Sequence, residues 1–213
     1  MHNRAWLLAT LRGAGISDIR VLEAIQRVPR ERFVPSNMVE RAYENEALPV
    51  GEGQTISQPT VVACMTQALA LKGTERVLEV GTGTGYQTAI LACLAAEVVS
   101  IERIPRLALA AGERLCGLGV RNAEVVVGDG TLGFARRAPY DAILVTAGGP
   151  RVPAPLAAQL AVNPPGRLVM PVGPPDEQQL LLLSGDPHSR AMRRLGPVRF
   201  VPLIGNQGWE EFK

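Results

Sequence analysis

The sequence predicts an α/β fold built on a doubly wound, mostly parallel sheet, and three observations predict it. From residue 76 onward, short apolar runs alternate with stretches whose apolar residues recur at helical spacing, the pattern of strands joined by crossover helices. The run Val77-Leu-Glu-Val80 then opens into Gly81-Thr-Gly-Thr-Gly85, a strand-to-helix turn in which glycine lets the backbone turn sharply and approach a ligand. The next two runs end in Glu102 and in Gly128-Asp129-Gly130, which places polar groups at strand carboxyl ends, where such sheets bind ligands.

In chain order, Ala5 to Leu11 reads as the first turns of a helix, too short and lacking the cleavage site of a signal peptide. Ser17 and Asp18 offer a second helix start, with Val21, Leu22, Ile25 and Val28 on one face and Pro29 ending it. Phe33-Val-Pro35 reads as a packed turn. Residues 48–59 are rich in turn formers and read as neither strand nor helix, and Pro59 suits the first position of a helix whose inward face is Val62, Met65 and Leu69. Strands follow at 76–80, 97–102, 123–127, 139–145 and 167–172, with helices at 85–95, 105–118 and 154–161 and a short helical stretch after 127. Residues 178–184 and 192–203 read as closing strands, antiparallel at one edge. The chain is expected to form one domain over 1–213, with a helical N-terminal segment and substrate loop (1–58), an α/β core (59–173) and C-terminal edge strands (174–213).

Composition narrows the classes. With 46% apolar residues, 213 residues can bury a full core. A net charge of +2, scattered basic pairs and 4% aromatic content give no reason to expect a nucleic-acid partner. No apolar run approaches a membrane span. Cys64, Cys93 and Cys116 lie far apart in apolar, helical contexts and read as reduced core thiols of a cytoplasmic protein. His2 and His188 belong to no cluster with metal-ligand spacing, so no metal is expected.

The spacing of the glycines bears on the ligand. A dinucleotide fingerprint would need a small residue where Tyr86 stands, and the Gly-Lys-Ser/Thr of a phosphate-binding loop is absent. The loop instead resembles the first motif of class I, Rossmann-like S-adenosylmethionine-dependent methyltransferases. Glu102, 17 residues beyond Gly85, is placed to accept hydrogen bonds from two ribose hydroxyls; alone it would read as a loop glutamate. Asp129, between two glycines, is placed to bond an adenine amino group; alone it would read as an Asp-Gly turn.

A narrower resemblance covers essentially the whole chain. Leu48-Pro-Val-Gly51, Gly53-Gln-Thr-Ile-Ser-Gln-Pro59, residues 77–89, Gly128-Asp-Gly130, residues 138–143, residues 167–173 and Val198-Arg-Phe-Val-Pro-Leu203 resemble the protein-L-isoaspartate O-methyltransferases. The Thr55-Ile-Ser-Gln-Pro59 block is the most specific of these, and Asn163-Pro-Pro-Gly166, with Pro165 where the family usually has glycine, is a departure. The resemblance implies methyl transfer from S-adenosylmethionine, leaving S-adenosylhomocysteine, to the free α-carboxylate of L-isoaspartyl residues in damaged proteins and peptides, the step that begins their repair. It implies a cytoplasmic monomer whose partners are those substrates, with neither nucleic acid nor membrane.

Carried over residue by residue, Glu79, Gly81, Gly83 and Gly85 would surround the methionine part of the cofactor. Glu102 would hold the ribose, Asp129 and Gly130 the adenine, and Thr55 would join the cofactor side. Ser57, with the backbone N–H groups of Ile56 to Gln58, would hold the substrate carboxylate, while Val201 and Leu203 would line a peptide groove by backbone contacts. Ser57 could equally cap the helix that begins at Pro59. An α-carboxyl, with an ordinary pKa of about 3.3–3.7, is already ionised at neutral pH and needs no general base. The enzyme must then supply alignment. Open alternatives are a methyltransferase of the same fold acting on another substrate, and a non-catalytic S-adenosylmethionine-binding protein; an NAD-dependent oxidoreductase is disfavoured by Tyr86.

Overall fold

Local signals in the N-terminal segment build two helices, as expected. The computed structural model describes residues 3–185 and 189–210; His2 and His188 lie outside the described residues. Asn3 caps α1 (Arg4–Gly13) by accepting the amide of Trp6, and Asp18 caps α2 (Ile19–Arg27) by accepting that of Arg20. Both pack on α3 (Pro59–Leu69), whose Val62, Met65 and Leu69 face inward. Residues 30–33 and 36–41 form 3-10 turns that bury Arg30 and Phe33.

Residues 48–56 differ from expectation. They form a small antiparallel hairpin, β1 (Leu48–Gly51) and β2 (Gln54–Ile56), with Leu48 opposite Ile56. The turn runs through three consecutive left-handed residues, Gly51, Glu52 and Gly53. Strands this short, one of them containing Pro49, leave no alternation long enough to read as β.

The main sheet has the order β5-β4-β3-β6-β7-β8-β9 among the described residues. It comprises β3 (Arg76–Val80), β4 (Glu97–Glu102), β5 (Ala123–Val127), β6 (Ala142–Val145), β7 (Arg167–Val172), β8 (Gln178–Ser184) and β9 (Ala191–Val198). The first five pair in parallel, and β8 and β9 return antiparallel at one edge. The central strands β3, β4 and β6 are buried on both faces, which is why they read as continuous apolar runs. Helices α4 (Tyr86–Ala92), α5 (Pro105–Gly117) and α6 (Ala154–Ala158) are the crossovers. Strand order reverses at β3, with β4 on one side and β6 on the other, so the crevice of a doubly wound sheet opens above the carboxyl end of β3.

Three further expectations are corrected. The strand expected over 192–203 ends at Val198; beyond it Pro202 bridges to Gly148 and the chain crosses the carboxyl end of the sheet. The helix expected over 154–161 stops at Ala158, where Gln159 and Ala161 turn back to bond Tyr140. Cys93 and Cys116 are exposed free thiols, not core residues, and Cys64 is half-buried. On α5 the inward face is Ala108, Ala111 and Leu115, so Cys116, one residue on, is rotated about 100° toward solvent. The Pro164-Pro165 loop precedes β7 and so lies at the amino end of the parallel strands, away from the crevice.

Candidate active site

The carboxyl ends of β3, β4 and β6 and the turn after β5 line a cleft. Gly81 and Gly83 form its floor with left-handed φ of 96° and 54°. A Cβ at Gly81 would lie 2.3 Å from Thr146 Oγ1, whereas one at Gly83 would meet no protein atom within 4 Å. Thr146 Oγ1 in turn donates to the carbonyls of Val80 and Gly81, locking the loop to the end of β6. Arg114 on α5 holds the next turn, donating from Nη1 to the Thr84 carbonyl at 2.7 Å.

Glu102 stands at the carboxyl end of β4 and lines the cleft. Its Oε2 accepts the Gly83 amide at 2.8 Å and its Oε1 the Ile104 amide at 2.9 Å. Each carboxylate oxygen has a second lone pair, so the side chain is oriented yet still able to accept two hydroxyls. Gly130 also lines the cleft, and a Cβ there would lie 2.4 Å from Val80 Cγ1.

The same cleft is lined by Thr55, Ile56 and Ser57 from ahead of α3 and by Val201 and Leu203 from beyond β9. Ser57 is not the cap of α3. That position belongs to Gln58, which makes no side-chain cap bond, and the Thr60 amide is accepted by Asn45 Oδ1 at 3.1 Å. The Ser57 carbonyl accepts a hydrogen bond from Arg30 Nη2 at 2.9 Å. The Leu203 amide donates to the Gly148 carbonyl and the Gly148 amide to the Val201 carbonyl, both at 2.8 Å, and the Trp209 indole N–H donates to the same Gly148 carbonyl at 3.0 Å.

Four expected site residues sit outside the cleft lining. Gln58 turns its amide to the Asn45 carbonyl at 2.8 Å. Gly85, with φ of 87°, begins α4, and a Cβ there would come within 3.4 Å of Ala111 and Leu115, so its smallness serves helix packing. Asp129 spends its carboxylate on the protein: Oδ1 accepts the Thr131 amide and hydroxyl, and Oδ2 accepts the Asn206 amide at 2.8 Å. Glu79 lies beneath the loop, 0% exposed, with Oε2 accepting hydroxyls from Thr88 and Ser100 and Oε1 unpartnered. Burial pushes its carboxyl up to about 8, and the two hydroxyls only partly offset this.

Sequence reasoning missed Thr146, Ile204 and the ring of Tyr86, all cleft residues. Thr146 follows a strand that ends in no acidic residue, and Ile204 lies past the last recognisable block. Tyr86 carries a signal in retrospect: a bulky aromatic directly after a glycine loop needs a pocket of its own.

A seven-stranded, doubly wound sheet with a reversed final hairpin, a glycine loop and a strand-end carboxylate define a class I methyltransferase architecture. Ahead of the core lies the second loop that faces this crevice. The chain belongs to the protein-L-isoaspartate(D-aspartate) O-methyltransferase family, whose model matches residues 2–208. A protein-L-isoaspartate O-methyltransferase of Methanoculleus marisnigri is 54% identical over 200 residues, spanning 94% of this chain and 90% of the relative. One of Marinobacter nauticus, numbered 2 there, is 53% identical over 210 residues, spanning 97% and 94%. A solved protein-L-isoaspartate O-methyltransferase superimposes with a TM-score of 0.87 at 31% identity, over 97% of this chain and 67% of that one. A Plasmodium falciparum structure described as a candidate member, in complex with S-adenosyl-L-homocysteine, shares the fold with a TM-score of 0.82 at 24% identity, over 97% of this chain and all of that one.

Proposed function

We propose that the protein transfers the methyl group of S-adenosylmethionine to the free α-carboxylate of L-isoaspartyl residues in proteins and peptides. One observation carries the reading most directly: Ser57, free of the capping role, lines the same cleft as the glycine loop. The residues present suit the cofactor. Gly83 opens into space free of protein atoms, and Glu102 is oriented by two amides with lone pairs to spare. Gly81, Gly83, Glu102 and Gly130 would hold it, with Thr55 on the same side. Glu79 and Gly85 would support the loop from below and behind, and Asp129 would act through the segment it clasps. When bound, S-adenosylmethionine supplies a methyl group on a cationic sulfur.

The protein's own part is alignment. Ionisable cleft residues among those described include Glu102, Arg103 and Tyr86, and burial raises the Tyr86 phenol further from neutrality. In this reading the remaining lone pairs of Glu102 would go to the ribose, so no general base is assigned, which suits a nucleophile that arrives already ionised. The Ser57 hydroxyl and the amides of residues 56–58 would orient the carboxylate. The backbone of Val201 and Leu203 would hold the flanking peptide without reading its side chains. Residues 1–58 would thus serve the substrate, 59–173 the cofactor and 174–213 the closing edge.

Isoaspartyl proteins and peptides are the partners in this reading, and the protein acts as a cytoplasmic monomer without nucleic acid or membrane. No helix among the described residues is long and apolar enough to cross a membrane, and none of their His, Cys, Asp and Glu side chains form a metal-binding group of three. The test is incubation with radiolabelled S-adenosylmethionine and two peptides that differ only in L-isoAsp against L-Asp. Base-labile label in the isoAsp peptide alone, lost in Ser57→Ala, is expected. Label in neither peptide, with cofactor still bound, would overturn the assignment.

A further inference from the structure

Arg30 heads the fully buried side chains by volume, at 0% exposure, and the reaction as derived does not use it. Its Nε donates to the Ala42 carbonyl at 2.9 Å and its Nη2 to the Ser57 carbonyl at 2.9 Å. The guanidinium carbon lies 4.8 Å from the centroid of the Tyr86 ring, and Nη1 has no hydrogen-bond partner among the described residues. These surroundings are carbonyl dipoles and an aromatic face; none of the ion pairs among the described residues includes Arg30. Desolvation works against the charge, yet a guanidinium does not give up its proton in a protein. A fixed positive charge therefore sits fully buried, short of a counter-charge.

Burying such a charge is costly, and an apolar side chain of similar volume would ordinarily serve packing as well or better. The location supplies the missing reason. Arg30 is one hydrogen bond behind the Ser57 peptide, and the ring it lies over belongs to a cleft residue. The same ring meets Phe33 edge-on at 5.4 Å, and Arg114, which holds the glycine loop, lies 5.8 Å from the Phe33 centroid. A row of cation, ring, ring and cation thus spans from the Ser57 loop to the glycine loop.

We infer that Arg30 is a positioning residue for the substrate carboxylate: it fixes the Ser57 carbonyl, and with it the hydroxyl and amides that face the cleft, and it holds a positive charge behind the anion they receive. This rests on the reading of Ser57 as the carboxylate-binding residue. The charge favours the bound carboxylate over any neutral group of the same shape. It acts on binding before methyl transfer, so its loss raises the peptide KM more than it lowers kcat.

The test compares two peptides for binding in the presence of S-adenosylhomocysteine: an L-isoAsp peptide, and the same peptide with that α-carboxylate replaced by a carboxamide. Arg30→Met should lower the preference for the carboxylate peptide by roughly tenfold, while affinity for the carboxamide and for S-adenosylhomocysteine holds. Arg30→Lys keeps the charge but not the fork, and should retain most of the preference at a higher peptide KM. It also serves if the methionine variant does not fold. Asn45→Ala loosens the same loop through Thr60 and leaves the charge in place, so it should weaken both peptides together. If Arg30→Met weakens both peptides equally, or if Arg30→Lys loses the carboxylate preference although it keeps the charge, the inference fails. If the wild type does not prefer the carboxylate peptide, the Ser57 reading fails first.

Discussion

Glu79 gives the prediction whose magnitude can be worked most fully. Its carboxyl is completely buried, accepts the Thr88 hydroxyl at 2.5 Å and the Ser100 hydroxyl at 2.6 Å through Oε2, and leaves Oε1 without a partner. Burial raises it from 4.5 to about 8, with the charge of Glu102 a smaller push in the same direction. Below pH 4.5 both the folded and unfolded carboxyls carry the proton. As pH rises, the unfolded chain ionises first while the folded protein keeps its proton, so stability falls until pH passes the folded value. At about 1.4 kcal/mol per pH unit, the direction and size of the shift imply a loss on the order of 2–3 kcal/mol between pH 5.5 and 7.5. Glu79→Gln removes the titration and keeps the shape, since the amide oxygen can accept both hydroxyls. Urea unfolding of the ligand-free proteins at the two pH values isolates the effect, because every other titrating group is common to both. Glu31 and Glu75, whose carboxyls are lowered, act mainly in acid, below this window. The wild type should lose on the order of 2–3 kcal/mol relative to Glu79→Gln between the two pH values. Parallel curves would mean that Glu79 is ionised in the folded protein, and that two hydroxyls outweigh full desolvation.

Two further predictions separate residues that the glycine and aspartate motifs group together. Gly81→Ala should lower cofactor affinity, because its Cβ would strike the Thr146 hydroxyl that locks the loop; Gly85→Ala should instead cost about 1–2 kcal/mol of stability through its left-handed φ while calorimetric cofactor affinity holds. Asp129→Asn should release the Asn206 amide, because its Nδ2 is a donor facing a donor, at a cost of about 1–2 kcal/mol. The peptide KM should then rise with cofactor affinity unchanged, and a fall in cofactor affinity instead would return Asp129 to the adenine site.

The parts of this molecule legible in the sequence are those set by local periodicity. Strands β3, β4, β5, β7 and β8 were expected at the bounds the structure gives them, because each is a short apolar run with ends marked by turn residues, and the central β3 and β4 are buried along nearly their whole length. The hairpin β1–β2 escaped because it has only three or four residues per strand and draws its stability from Leu48 and Ile56 packing into a distant core. The site divides in the same way. Gly81, Gly83, Glu102, Gly130 and Ser57 reach the cleft as expected, since each is placed by the end of an element whose bounds the sequence marks. Asp129 and Gly85 carry the same motif but face other partners. Asp129 is taken up by Asn206, 77 residues away, and Gly85 by the packing of α5 on α4, and neither contact leaves a trace near the motif.

A doubly wound sheet brings strand ends and glycine amides to one crevice, which is enough to receive one ligand but gives no means to hold a second in line with it. Here the second wall comes from opposite ends of the chain. The Ser57 loop is held from the N-terminal segment by Arg30 and Asn45, and the Val201–Leu203 stretch is held by Gly148 and Trp209, with Asp129 gripping the residues between. Each of these clasps ties a cleft-lining segment to a distant part of the chain. Methyl transfer demands reacting atoms within about 3–3.5 Å and in line, so small displacements of either wall are felt in rate. Long-range hydrogen bonds to backbone carbonyls and amides suit that demand, because they fix the position of a loop without placing any further side chain in the cleft.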